Sequence, residues 1–245
     1  MEYFLPIRFL VVSFLSSSVG LGGGSSYTAI MAIMGINYQL IPATSLTLNL
    51  GVTFIGMINF WRAGHGRIDL VAPFLITSIP MSYLGGSVQL PELMFQIILT
   101  MTLLLIVSRI YFFDRVSITY ELSSIEKWLL TIFLGSFLGF IAGAVGIGGG
   151  IYLVPLIIMF GLGTTKEASA AGAMFIWSNS FAGILPRIQS GTYDIKFITP
   201  LVFAVLVGGF AGSYFGAVRF ESIFIQKIMG AVIIIAIIFL IQRIL

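Results

Sequence analysis

The chain has 245 residues, of which 58% are hydrophobic and only 9% are Asp, Glu, Lys or Arg. A soluble globular domain carries about 25% charged residues, so this sequence has too few to cover a water-facing surface. Its mean hydropathy of +1.10 agrees. The composition argues against a soluble enzyme, a nucleic-acid-binding module and a disordered scaffold. The net charge of +3 is spread thinly, and a sequence without cysteine excludes disulfides and thiolate metal sites.

Long segments without a charged residue indicate a chain that crosses a membrane several times. Residues 9–61 contain no Asp, Glu, Lys, Arg or His, and residues 128–165 form a second long run. A spanning helix needs about 20 apolar residues, so each run holds two or more segments. Backbone in lipid must satisfy its own hydrogen bonds, and uniformly apolar sequence favours helices over a β-barrel. The sequence therefore predicts an all-α polytopic membrane protein with about 8–10 membrane segments.

Recurring landmarks predict an internal duplication. Three pairs of segments share nearly the same spacing of 125 or 126 residues: Gly20–Gly24 with Gly146–Gly150, Ala43–Ser45 with Ala168–Ala170, and Gly66–Asp69 with Gly191–Asp194. The predicted organisation is a first membrane repeat over residues 1–113, a polar inter-repeat loop over 114–127, and a second membrane repeat over 128–245.

Each predicted repeat has about five hydrophobic segments, and glycines interrupt the first two. The short segments 25–36 and 151–162 have about a dozen residues, or roughly 18 Å of helix, too little to cross a 30 Å core. We interpret them as half-helices of a partly re-entrant, glycine-broken pair. Counting that pair as two crossings or as a hairpin makes the repeats inverted, whereas one kinked span makes them parallel. The glycine cluster fits one helix badly, which favours inversion.

Consecutive glycines need a physical reason, because each costs about 1 kcal/mol in a helix interior relative to alanine. One interpretation is close packing between membrane helices. The other is a discontinuous helix, whose N-terminus exposes unpaired N–H groups and about half a unit of positive charge. Transporters with internal repeats use such helix ends near the bilayer midplane. The recurrence of the cluster at the same place in both halves favours an anion site of this kind.

Polar residues of the helices that follow the glycines complete the candidate site. Hydroxyl and amide donors near a helix N-terminus suit an oxyanion such as a carboxylate, sulfite or sulfonate, although hydrogen bonds between helices explain them equally well. The predicted substrate-binding residues are Gly22, Gly23, Gly24, Thr44, Ser45, Asn49, Gly148, Gly149, Gly150, Ser178 and Asn179.

The few charged residues near these helices have simpler interpretations. Arg62 and Arg187 end the two polar helices, where snorkelling to the headgroups is favoured over an entrance role that attracts anions. Asp69 and Asp194 are predicted to cap the helices that follow them, and Lys166-Glu167 is interpreted as a solvated turn.

No metal site or cofactor is predicted, because the chain has one histidine and no cysteine. The sequence leaves open whether a coupling ion, H⁺ or Na⁺, takes part in transport. No mid-membrane carboxylate is available to carry a proton. Carbonyls at an unwound helix could hold Na⁺, but the sequence assigns none.

The doubled pattern of Gly-x-Gly-Gly-Gly, then Ala-Thr-Ser or Ala-Ser-Ala, then Gly-x-x-Asp resembles the TauE/SafE family of sulfite exporters, also called the 4-toluene sulfonate uptake permease family. The resemblance covers essentially the whole chain and is best at Gly146–Gly150, which Pro155 follows. The first half departs from the family pattern by carrying Ala29 in place of proline. The resemblance implies a secondary transporter of small sulfur-containing or organic anions in the inner (plasma) membrane of a prokaryote.

Three functions remain open from the sequence. The favoured one is transport of a small anion through the lipid bilayer by alternating access of two repeats around a central site. An intramembrane enzyme is disfavoured, because the apolar segments contain no pair of carboxylates and the chain has one histidine and no cysteine. A non-transporting membrane scaffold or assembly factor is the alternative, with the loop over 114–127 as its one place for a protein partner. No nucleic-acid partner is expected, and the oligomeric state is open.

Overall fold

The computed structural model describes residues 5–112, 124–160 and 162–218, with several further positions between 227 and 242. Across these ranges the regular structure is helical, which confirms the predicted all-α fold. The α-helices follow in this order: α1 Leu5–Ser18, α2 Gly24–Ile33, α3 Leu40–Arg62, α4 Ala72–Ser87, α5 Glu92–Phe112, α6 Ser124–Val145, α7 Gly150–Met159, α8 Thr165–Gln189 and α9 Ile195–Val218. The predicted inter-repeat loop over 114–127 lies largely outside the described residues.

The helix lengths are those of a multi-pass membrane protein. Among the residues that the structure describes, five helices are long and apolar enough to cross a bilayer, namely α3, α5, α8, α9 and the Trp128–Val145 part of α6. The helices α2 and α7 have 10 residues each, or about 15 Å, half of the hydrocarbon core. They are the half-helices that the glycine spacing predicts, and each begins at the last glycine of its cluster.

Left-handed glycines separate α1 from α2 and α6 from α7. At the end of α1, the N–H of Leu21 donates to the Ser16 carbonyl at 2.9 Å and Gly20 adopts a φ of 74°. This Schellman ending needs a residue that tolerates positive φ, which is why glycine stands there. Gly146 ends α6 with a φ of 84°. We call the segments 19–24 and 145–150 the first and second glycine breaks.

Glycines outside the two breaks allow close packing between helices. A Cβ atom at these glycines would collide with a backbone carbonyl of the facing helix: Gly208, Gly212 and Gly216 of α9 against α1, and Gly139 and Gly143 of α6 against α4. Small residues at spacing four let membrane helices approach in this way.

The helices pack across the two halves of the chain. The first helix of each half packs against the fourth helix of the other, α1 with α9 and α6 with α4. The helices α3 and α8 pack against each other between these pairs and are the most buried of the long helices. The inverted relationship of the halves stays a prediction.

At the starts of α9 and α8, the structure confirms one capping prediction and corrects another interpretation. Asp194 caps α9 as predicted, because its Oδ1 accepts from the N–H groups of Lys196 at 3.0 Å and Phe197 at 3.2 Å. The solvated-turn interpretation of Lys166-Glu167 is wrong. Glu167 forms a capping box at the start of α8, accepting from the Thr164 N–H at 2.7 Å while Thr164 Oγ1 accepts from the Glu167 N–H.

Candidate functional site

The two glycine breaks meet at the centre of the molecule, between α3 and α8. A Cβ atom built at Gly24 would lie 2.6 Å from the carbonyl oxygen of Ile147, so the two breaks are in backbone contact. Each break also packs on the long helix of the other half. Gly20 lies against Ser169 of α8, and Gly146 lies against Pro42 of α3.

Ser45 connects the two breaks through hydrogen-bonding distances. Its Oγ lies 2.7 Å from the carbonyl oxygen of Gly146 and 3.2 Å from that of Gly24. Thr28, one turn into α2, places its Oγ1 2.7 Å from the Gly24 carbonyl oxygen and 3.1 Å from Ser45 Oγ. All of these groups are buried, so the centre of the protein contains a compact cluster of four oxygen atoms. We call it the oxygen cluster.

Asn49 lies one turn after Ser45 on α3 and faces both breaks. A Cβ atom at Gly22, Gly24 or Gly148 would lie within 2.9 Å of its amide group. The side chain is 0% exposed. Within the described part of the chain, neither Nδ2 nor Oδ1 of Asn49 has a hydrogen-bond partner. A buried unpaired polar group costs about 1–3 kcal/mol, and a ligand that bonds to this amide removes that cost.

The N-termini of both half-helices, α2 and α7, lie at the same glycine breaks. The residues that precede α2 and α7 are Gly23 and Gly149, with φ of 88° and 76°. Glycine has no side chain that could accept from the first turn, in contrast to Thr164 at α8. The N–H of Tyr27 donates to the Gly23 carbonyl at 2.9 Å and that of Tyr152 to the Gly149 carbonyl at 3.1 Å. The N–H groups that precede them have no side-chain cap, so the helix ends keep a partial positive charge in a buried place. Together with the Asn49 amide, they form a site that suits a small anion without a charged side chain.

The structure distributes the predicted site residues unevenly. It brings Gly22, Gly24, Ser45, Asn49 and Gly148 together at the centre. The others lie around it or turn away: Gly23 faces the ring of Tyr27, Gly149 faces Phe175, Gly150 faces Ile176, Thr44 is buried on α3, and Ser178 is half-buried on α8.

Asn179 differs from Asn49 in its hydrogen bonds. Its Nδ2 donates to the Phe175 carbonyl, one turn earlier in α8, at 2.9 Å. Its own backbone carbonyl accepts from Ser82 of α4 at 2.7 Å. These bonds place Asn179 at the packing of α8 with α4, and they give its amide nitrogen a partner inside the helix.

Ile176, Thr28 and Gly146 are central residues that the sequence reasoning missed. A spacing of 125 residues would pair Asn49 with Met174. In the structure, Pro42 contacts Gly146 and Ser169 contacts Gly20, and these two helix residues are 127 positions apart. Applied to Asn49, that spacing points to Ile176, whose side chain faces Gly148 and Gly150. A signal existed in the sequence, since Gly64 and Gly191, which end α3 and α8 at φ of 84° and 73°, have the same spacing.

The two arginines at the ends of α3 and α8 differ in burial and in hydrogen bonding. Arg62 is exposed. The snorkelling interpretation is wrong for Arg187, which is 5% exposed and donates from Nη2 to the carbonyls of Gly143 at 2.9 Å and Ala144 at 2.8 Å. These carbonyls are at the C-terminal end of α6, where a cation is favourable. Arg187 therefore holds the helix end that leads into the second glycine break.

A surface ion-pair group links the loop after α3 to the start of α8. Arg67 bonds to Asp69 and lies 3.6 Å from Glu167. The hydrogen bond from the Arg67 guanidinium lowers the pKa of Asp69 below its ordinary value. Asp69 therefore acts as an ion-pair partner rather than as the predicted helix cap. Among the described residues, no group of three or more His, Cys, Asp or Glu could hold a metal ion.

Comparison with known proteins adds independent information. The sequence matches the family described as Sulfite exporter TauE/SafE over residues 5–240. It is similar to the probable membrane transporter protein y4hK of Sinorhizobium fredii, with 30% identity over 236 residues that cover 95% of each chain. It is also similar to the probable membrane transporter protein YjnA of Bacillus subtilis, with 26% identity over 242 residues that cover 93% of this chain and 94% of that protein. No solved structure matches it significantly.

Proposed function

The chain belongs to the sulfite exporter TauE/SafE family and is a multi-pass membrane transporter, and from this we propose that it carries small anions. The substrates we propose are sulfur-containing anions, such as sulfite and sulfonates, or related organic acids. The proposed mechanism is alternating access around the central site where the two glycine breaks meet.

The observation that carries this proposal is the unpartnered, fully buried amide of Asn49 between Gly22, Gly24 and Gly148. An oxyanion offers several acceptor oxygens, so it can take the Nδ2 protons of Asn49 and the first-turn N–H groups of the half-helices at the same time. The partial charges of the helix ends favour the negative charge. Such a site does not require a charged Lys or Arg side chain. Because dipoles hold the anion instead of an ion pair, the anion can also be released more easily.

The helix packing supports alternating access between two bundles. One bundle contains α1, α3 and α9, and the other contains α4, α6 and α8, with α3 against α8 at their common surface. The two glycine breaks lie at this surface, one at the end of α1 and the other at the end of α6. A rocking motion of the bundles would open the central site to one side of the membrane and then to the other.

The test is anion flux in proteoliposomes that contain the purified protein. We expect saturable flux of sulfite, a small alkanesulfonate or a small carboxylate, and we expect Asn49→Leu to reduce it at least about tenfold, the loss of roughly one good hydrogen bond. Asn59→Leu is the matched control. Asn59 is on the same helix and donates to Ser213 at 2.8 Å, so its loss removes a bond between helices and leaves the central site intact.

Three results would contradict the proposal in whole or in part. Wild-type protein that carries none of these anions would remove the substrate class, and a stoichiometric protein partner found together with absent flux would favour the scaffold alternative. Asn49→Leu protein with wild-type flux would leave the substrate class standing but place the site elsewhere.

A further inference from the structure

We propose that the chain binds a sodium ion at the oxygen cluster beside the candidate anion site. The ligands are Thr28 Oγ1, Ser45 Oγ and the carbonyl oxygens of Gly24 and Gly146. The inference deepens the proposed transport function, on which it rests, by naming the cation that would move with the anion.

The oxygen cluster has fewer protons than close oxygen–oxygen contacts. Four oxygen–oxygen distances between 2.7 and 3.2 Å join its members. Each hydroxyl carries one proton, and a carbonyl carries none. At most two of the four contacts can therefore be hydrogen bonds at the same time. If the two contacts of 2.7 Å are the hydrogen bonds, the other two, at 3.1 and 3.2 Å, bring oxygen lone pairs to about van der Waals distance without a proton between them. The place is buried, so water does not screen this repulsion. A small cation at the centre of the cluster would turn that repulsion into coordination.

The chemistry of the ligands also favours sodium. Hydroxyl and carbonyl oxygens are hard, neutral donors, and carbonyls of unwound membrane helices coordinate Na⁺ in transporters. Protein sites for Ca²⁺ and Mg²⁺ usually include at least one carboxylate, whereas all four oxygens here are neutral. The Gly146 carbonyl belongs to the unwound segment between α6 and α7, and the Gly24 carbonyl lies at the start of α2. The ligand set therefore favours a monovalent cation.

The oxygen cluster lies directly beside Asn49. Ser45 and Asn49 are one helical turn apart on α3, so the cation and the anion would lie about 5 Å apart along that helix. Gly24 contributes to both places, since its carbonyl oxygen faces Ser45 while its Cα faces the Asn49 amide. Opposite charges this close in a buried site attract each other. By linkage, each ion then raises the affinity for the other by the same factor.

The experiment measures the melting temperature of the purified full-length protein while NaCl replaces choline chloride at constant total chloride. We expect a saturable rise of a few degrees with Na⁺ through linkage, and a much smaller rise with K⁺. Ser45→Ala and Thr28→Val should each abolish the Na⁺-dependent rise. Thr47→Val is the matched control, because Thr47 is also on α3 and its hydroxyl donates to Ala43 at 2.8 Å, outside the cluster. The readout is the increment that Na⁺ causes, so a lower starting temperature in a variant does not affect it.

The inference is overturned if Na⁺ causes no saturable rise in the wild-type protein, if K⁺ acts as well as Na⁺, or if Thr28→Val retains the full rise. Flux measurements separate its failure from failure of the proposed function. Anion flux that is unchanged when choline replaces Na⁺ removes the cation and leaves the anion transporter. A Na⁺ rise that depends on Ser45, in a protein without anion flux, leaves the cation site and removes the anion as substrate.

Discussion

Asn49 on α3 and Ile176 on α8 occupy matching positions against the two glycine breaks. A Cβ atom at Gly22 or Gly24 would lie 2.6 or 2.5 Å from the Asn49 amide, and one at Gly148 would lie 2.6 Å from the Ile176 side chain. Both breaks have a left-handed glycine at their start, Gly20 and Gly146, and one before the half-helix, Gly23 and Gly149. They differ in the side chain that faces them. The place where the breaks meet therefore has one polar wall and one apolar wall. If it is the proposed anion site, its specificity for a polar ligand would depend on the first half of the chain.

The asymmetry predicts different consequences for two asparagines that look alike in the sequence. Asn179→Leu should keep anion flux close to wild type, because the Asn179 amide nitrogen is bonded to Phe175 inside its own helix. Asn49→Leu should lose flux and also lose the rise in melting temperature that a substrate anion causes. Flux and melting assays on the two purified variants check this. Equal losses in both variants would show that the site extends along α8 to Asn179.

The contact between the breaks predicts that Gly24→Ala stops transport. Gly24 is in the first turn of α2, so the backbone accepts alanine, but the added methyl would meet Asn49 Nδ2 at 2.5 Å and the Ile147 carbonyl at 2.6 Å. Such overpacking costs about 1–3 kcal/mol and separates the two breaks. The measurements are proteoliposome flux and the unfolding midpoint.

Gly64→Ala is the control for that experiment. Gly64 has a φ of 84° and no atom within 4 Å of an added Cβ. Alanine there strains the backbone by about 1–2 kcal/mol without touching the central site. We expect a lower midpoint with flux retained. If Gly64→Ala lost flux as completely as Gly24→Ala, general destabilisation would explain both variants.

The buried guanidinium of Arg187 predicts a large stability difference between the two arginines. Arg187→Met removes the donor to the carbonyls of Gly143 and Ala144 at the end of α6, and a bond from a charged donor is worth about 1.5–3 kcal/mol. Arg62→Met changes an exposed side chain and should stay within about 0.5 kcal/mol. Denaturant unfolding in detergent compares them. A similar small effect in both variants would show that the Arg187 bonds have little net value.

The Arg67–Asp69 pair predicts a weak acid dependence of the loop between α3 and α4. Because Arg67 lowers the pKa of Asp69 below 3.8, the pair stabilises the folded loop above that pH, and the contribution is lost as pH falls through the lowered pKa. The effect is small, since exposed pairs are screened. Hydrogen exchange of residues 63–71 should be slower in wild type than in Asp69→Asn at neutral pH. The difference should shrink as the pH falls through the lowered pKa of Asp69, and a difference that does not decline with acid would contradict the assignment.

Much of the fold could be foreseen because it depends on local chemistry. Charge-free segments marked the long helices, and the positions of α2 and α7 followed from glycines whose left-handed backbone ends one helix before the next begins. The membrane-transporter function followed from the same patterns through the family resemblance. The roles of Glu167 and Arg187 did not follow, because each depends on which atoms are nearby in space: a capping box at α8 for the first, and the free carbonyls of α6 for the second.

The sequence by itself determined that this protein crosses the membrane as broken and unbroken helices, since apolar length and glycine backbone freedom are properties of short segments. Only the tertiary structure decided which polar groups meet. It pairs Ser45 with Gly146, 101 positions away, and sets Asn49 against both breaks while Asn179 bonds within its own helix. The reason is physical. A shift of two residues in the correspondence of α3 and α8 turns a helix by about 200°, so the face that a side chain presents depends on a packing register that spacing alone does not show.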